Sequence, residues 1–178
     1  GGHSTGSDDA SEDPVVDASE VLVRKLRSKQ LSSREAREVL REEGVPADLR
    51  DDIVADFERR GYLDDASLAE LLVTSGSQRK GQGRVAIART LNQRGIPREI
   101  GDEALAVLDD DDAERALDYA RTKVSSLRRY DEDTAVRRLV GQLSRRGYGG
   151  SIALTAARTA WRETQRGGGV GRVRFEET

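Results

Sequence analysis

Apolar residues return along this chain at helical intervals. Val136, Leu139, Val140 and Leu143 stand at i, i+3, i+4 and i+7, and Leu49, Ile53 and Phe57 line one face of another stretch. The same spacing links Ala18, Leu22 and Leu26, then Leu68 and Leu72, then Ala116, Ala120 and Val124. No stretch alternates with the two-residue period of a strand, and no Asn-Gly pair marks a hairpin. The pattern predicts an all-α chain.

The helices fall into a repeat. Leu40-Arg-Glu-Glu-Gly44-Val45, Leu91-Asn-Gln-Arg-Gly95-Ile96 and Leu143-Ser-Arg-Arg-Gly147-Tyr148 share the pattern Leu-x-x-x-Gly-apolar, with the glycines 51 and then 52 residues apart. The register holds on both sides: Ala36, Ile87 and Leu139 stand eight residues before each glycine, and Leu49, Ile100 and Ile152 five after. Each glycine is expected to end a helix in the left-handed conformation, and Pro46 and Pro97 to open the next helix at its first position. With one earlier helix per unit, the prediction is three tandem three-helix repeats, residues 16–62, 63–109 and 110–166. Neighbouring units are expected to stack and share a core, giving an elongated array that can curve. Ser32 and Glu35 fit a capping box, and Tyr148 and Trp161 read as packing residues. Residues 1–15, acidic and free of Lys and Arg, read as a disordered leader, and 167–178, opening on Gly167-Gly168-Gly169, as a flexible tail.

Composition narrows the chemistry more than the fold. Leu, Ile, Val and Phe make up 39 of 178 residues, so the core is modest, while a net charge of -3 is too small to hold the chain open. There is no cysteine, and the one histidine, His3, lies in the polar leader. Thiolate nucleophiles, Cys-based zinc sites and Ser-His or Cys-His dyads are thereby excluded. No apolar run reaches the roughly 18 residues of a membrane span and no signal-peptide pattern opens the chain, so its expected place is the cytoplasm.

Two motifs invite chemistry that their context denies. Gly81-Gln82-Gly83-Arg84-Val85-Ala86 matches G-x-G-x-x-A, but a dinucleotide fingerprint must follow a strand, and the segment before it is helical in period. Asp109 to Asp112 fan around a helix start and do not converge on a metal, so they read as caps of the third unit's first helix, as Asp64 and Asp65 do for the second's. With no nucleophile beside a base, no phosphate loop ending in Gly-Lys-Ser/Thr and no metal cluster, the chain is expected to bind and not to catalyse, with no cofactor.

The basic residues carry more information. Arginine outnumbers lysine 26 to 4, and its planar fork suits carboxylate and phosphate. Arg79, Lys80, Arg84, Arg89 and Arg94 form a run without an acid, and residues 121–166 carry a net +7. Two such stretches predict a surface facing a polyanion or an acidic protein. No helix has the Asn and Arg entry of a major-groove reader.

The segment Gly61-Tyr62-Leu63-Asp64-Asp65-Ala66-Ser67-Leu68-Ala69, followed by the basic glycine loop Arg79 to Arg84 and a helix ending in Leu91 and Arg94-Gly95-Ile96, resembles the RecX regulatory family. The first unit, with Arg34-Glu35 and Leu40 to Gly44, and the third, with Arg138-Leu139 and Leu143 to Tyr148, are similar to that family's flanking repeats. Leu68 departs from it, standing where an aromatic is common, and so does Gly149-Gly150, where a proline or an acid is expected. The resemblance implies a negative regulator of RecA in homologous recombination, DNA repair and the SOS response. It would act as a monomer in the groove of the RecA filament on single-stranded DNA, restraining ATP hydrolysis, strand exchange, co-protease activity and filament growth. Arg79, Lys80, Arg84, Arg89, Arg94, Arg128, Arg129, Arg137, Arg138, Arg145 and Arg146 are the candidate contacts to RecA or to DNA. Two other readings stay open: a helical repeat that binds single- or double-stranded DNA by itself, and an adaptor for another protein.

Overall fold

The computed structural model describes the backbone of residues 14–108 and 111–176 and the side chains of 15–108 and 111–167. The described residues form nine α-helices and no strand. Helices α1 (Pro14–Ser28), α2 (Ser33–Glu42) and α3 (Ala47–Arg59) make a first unit, and α4 (Asp65–Thr74), α5 (Arg84–Gln93) and α6 (Arg98–Leu105) a second. The third holds α7 (Asp112–Val124), α8 (Glu132–Arg145) and α9 (Gly150–Glu176). Helix α4 runs on into a wider π turn, Ser75–Arg79, and α6 and α7 close in 3-10 turns.

Hydrogen bonds explain the repeated Leu-x-x-x-Gly-apolar pattern. Gly44, Gly95 and Gly147 have φ of +78°, +78° and +93°, which costs glycine little and any other residue more. Their N–H groups donate to the carbonyls of Arg41, Asn92 and Ser144, and the N–H of the next residue donates back to Leu40, Leu91 and Leu143, all at 3.0–3.1 Å. This is a Schellman stop, which brings the side chain after the glycine onto the leucine. Val45, Ile96 and Tyr148 are accordingly buried. Helix α3 ends in the same way through Gly61, with the Phe57 and Tyr62 rings 5.7 Å apart. That fourth instance was not drawn from the sequence.

Helix starts are fixed by side chains. Ser32 and Glu35 form the predicted capping box, and Asp64 and Asp131 cap α4 and α8 through the N–H groups of Ser67 and Thr134. Pro46 and Pro97 stand at the N-cap, one residue before the position predicted for them. Helix α1 begins at Pro14, so residues 14 and 15 are helical and not leader. The remaining leader, residues 1–13, lies outside the described residues. Helix α9 continues through Gly167-Gly168-Gly169 to Glu176, where the sequence predicted an end to helical structure. Glycine lowers helix propensity by about 1 kcal/mol per residue but forbids no helical backbone angle, and no proline follows to stop the chain.

Buried apolar residues form three separate clusters, centred on Leu22, Leu40 and Val54, on Leu68 and Ile87, and on Leu139, Leu143 and Trp161. The predicted shared core is therefore corrected. Within each unit the three helices turn their apolar stripes toward one another, and the units meet through the ends of helices.

Candidate functional site

Units meet where the glycine turn ending one middle helix docks on the start of the middle helix before it. At the first junction Arg34 on α2 donates from Nη2 to the carbonyls of Asn92 and Gln93, at 3.2 and 3.1 Å. Those carbonyls belong to the last turn of α5, where the Asn92 oxygen also accepts the Gly95 N–H. Arg94 reaches the other way, from Nε to Glu35 Oε2 at 3.0 Å and from Nη2 to Gln30 O at 2.7 Å. Asp65, the first residue of α4, accepts the Ser33 N–H at the start of α2 at 2.9 Å.

The two carboxylates at this junction are pushed in opposite directions. Burial raises the Glu35 carboxyl, but the hydrogen bonds from Arg94 and the Ser32 N–H, with the charges of Arg94 and Lys29, outweigh it and leave the pKa lowered. Burial raises Asp65 as well. There the Ser33 N–H offsets only part, the Glu58 charge adds to the rise, and the carboxyl stays above its ordinary range.

The second junction is built on backbone. The N–H groups of Gly83 and Val85 donate to the carbonyls of Arg146 and Gly147 at 2.8 and 3.0 Å. Tyr148 Oη donates to Gly81 O at 2.9 Å, and Arg146 Nη1 to Lys80 O at 2.7 Å. A Cβ on Gly83 would lie 2.6 Å from Gly147 O, so the glycine loop is a docking surface for the third unit. It follows a helix and a π turn, which leaves the dinucleotide motif without its strand.

Asp112 repeats the work of Asp65. It is only 5% exposed, accepts the Arg84 N–H at 3.1 and 3.2 Å and pairs with Arg115 at 2.6 Å. The cap predicted for α7 is thus corrected: Asp112 caps α5 of the unit before, while Asp111 stands at the start of α7 without a side-chain hydrogen bond. Asp109 and Asp110 lie outside the described residues. The described residues hold no group of three His, Cys, Asp or Glu fit for a metal ion.

The eleven candidate basic residues divide between these junctions and open surface. Arg94 and Arg146 hold the junctions, and Arg84 donates to Leu105 O at 3.3 Å while Asp112 takes its backbone N–H. Arg79, Lys80 and Arg89 are exposed on the second unit, at the π turn and on α5. The rest form the larger surface, with Arg128, Arg129, Arg137, Arg138 and Arg145 exposed on the third unit. Arg129 and Arg138 lie 4.9 and 4.3 Å from the centre of the Tyr130 ring, and Arg137, Arg138 and Arg145 line one depression of about 250 Å³ over Leu127. Arg146 lies 4.5 Å from the Tyr119 ring. A cation held against an aromatic face keeps its charge outward with less freedom to lose on binding. Sequence reasoning missed both tyrosines and Arg34, although Arg129-Tyr130 stands in the sequence as a signal.

Residues 64–105, helices α4 to α6, match the model of the RecX second three-helix domain. The chain is 32% identical to the regulatory protein RecX of Streptomyces coelicolor over 85% of its own length and 81% of that protein's. It is 31% identical to the regulatory protein RecX of Amycolatopsis mediterranei, over 82% and 84%. In fold it is similar to the crystal structure of RecX from Lactobacillus salivarius, with a TM-score of 0.77 at 17% identity over 83% of this chain and 97% of that one. Because the sequence likeness runs through all three units and the three-helix architecture is shared, the chain belongs to the RecX family of regulatory proteins.

Proposed function

We propose that this chain is a negative regulator of RecA that lodges in the groove of the RecA filament on single-stranded DNA. There it restrains ATP hydrolysis, strand exchange, co-protease activity and filament extension, catalysing nothing itself and needing no cofactor. Its proposed place of action is the cytoplasm, and no helix among the described residues is long and apolar enough to cross a membrane. The observation that carries this reading is the 32% identity to a regulatory RecX protein over 85% of the chain. The exposed arginines of the third unit support it, since their forks suit the carboxylates of a protein polymer and the phosphates of the strand inside it. Each exposed contact is worth about 1 kcal/mol or less, but units joined in series add such contacts through effective concentration.

Pull-down with RecA filaments tests the partner. Filaments assembled on single-stranded DNA with nucleotide are expected to retain the chain, and RecA without nucleotide to release it. Equal retention by bare DNA would instead favour direct nucleic-acid binding, the reading that the arginine-tyrosine stacking of the third unit supports. That reading predicts an affinity for DNA alone that falls steeply with salt.

A further inference from the structure

The turn used twice inside the chain for docking is open in the first unit, and two of the side-chain positions that such a turn meets are exposed on α8 of the third. In the second and third units the glycine turn is buried on the unit before, Gly95 against Arg34 and Gly147 against Ala86. Gly44, the same turn in the first unit, is exposed, and a Cβ there would meet nothing within 4 Å.

At the far end, α8 presents Arg137 and Arg138, both exposed, ten and nine residues before Gly147. Arg34 and Glu35 hold the same positions before Gly44, so Arg137 is the counterpart of Arg34. The ion pair that crosses the first junction, Arg94 with Glu35, has counterparts in Glu43 and Arg138. Both charges are reversed, so the open ends remain complementary to each other.

We propose that the Gly44 turn of one chain docks on α8 of a second copy, head to tail, with Glu43 meeting Arg138 and Arg137 meeting the carbonyls of Arg41 and Glu42 at the end of α2. A contact between two different faces does not close on itself, so it extends the array chain by chain. It lacks the aspartate clamp of the internal junctions. Pro14 opens α1 where Asp65 and Asp112 open α4 and α7. Helix α8 also starts fifteen residues before its glycine instead of eleven, with its first turn capped by its own Asp131. The contact is therefore weaker than the internal junctions, and chains that are single when dilute associate on concentration.

The absence of native cysteine makes the pairing directly testable. Under mild oxidation the double variant Glu43→Cys, Arg138→Cys is expected to give a ladder of dimers, trimers and longer species. A mixture of the two single variants should give dimers in excess of either alone. No ladder, or as much dimer from one single variant as from the mixture, would overturn the proposal. In sedimentation velocity Glu43→Arg should weaken association about fivefold, and adding Arg138→Glu in the same chain should restore it. Failure to restore, or no concentration dependence in the unaltered chain, would count against the pairing equally.

Discussion

At the scale of single residues, the same glycine position carries two different burdens. Gly44 needs only its positive φ, so Gly44→Ala should cost about 1 kcal/mol, the ordinary penalty of a left-handed alanine. Gly147 needs the same φ and also lies against the backbone and Cβ of Ala86, so Gly147→Ala should cost about 3 kcal/mol, the strain of overpacking added to the penalty. Urea unfolding of the two variants checks this, and equal losses would mean that the second junction does not depend on close approach. Asp112→Ala should cost roughly 2–3 kcal/mol, because it leaves the Arg84 N–H without its acceptor and takes the charge partner from the half-buried Arg115, which keeps the Gln82 carbonyl. The glycines were legible in the sequence because a Schellman stop has a fixed spelling. The reach of Asp112 was not, since a carboxylate at a helix start looks the same whether it caps its own helix or one twenty-eight residues upstream.

Between elements, the two junctions differ in what holds them. The second rests on backbone hydrogen bonds and the buried Asp112, and the first on ionisable side chains. At the first junction two carboxylates respond to acid in opposite senses. Glu35 has a lowered folded pKa, so its stabilisation is present above its ordinary 4.5 and is lost as pH falls through the folded value. Asp65 has a raised folded pKa, so its buried charge opposes folding above that value, and protonation relieves this as pH falls toward its ordinary 3.8. Asp65→Asn keeps an oxygen for the Ser33 N–H without the charge, and should hold or raise stability at pH 7 and flatten this part of the pH profile. Asp65→Ala should lose about 1 kcal/mol, as other lost helix caps do. Chemical denaturation from pH 3 to 8 separates these outcomes, and equal losses in the two variants would show that the charge is needed. Helix periods and the Leu-x-x-x-Gly-apolar repeat made the elements readable in advance. The junctions were not readable, because a polar contact between units leaves no period behind, whereas a row of apolar faces suggests a shared core.

For the whole molecule, charge counting found the third unit's basic stretch but could not sort contacts from supports. Arg94 and Arg146 looked no different from Arg137 or Arg145 until the docking of the turns drew them inward. A test of the surface should therefore spare Arg146. Reversing Arg137, Arg138 and Arg145 to Glu should leave the melting temperature nearly unchanged and weaken inhibition of RecA several-fold, whereas Arg146→Glu should lower the melting temperature by loosening the Lys80 loop. Thermal melts run beside strand-exchange assays distinguish the two classes. If the triple reversal inhibits as well as the unaltered chain, the open face of the third unit is not where the partner sits. The most direct measurement is the rate of ATP hydrolysis by RecA on single-stranded DNA as this chain is titrated in. The account predicts that turnover falls at substoichiometric to near-stoichiometric amounts, and turnover that stays constant through an excess of the chain would contradict it.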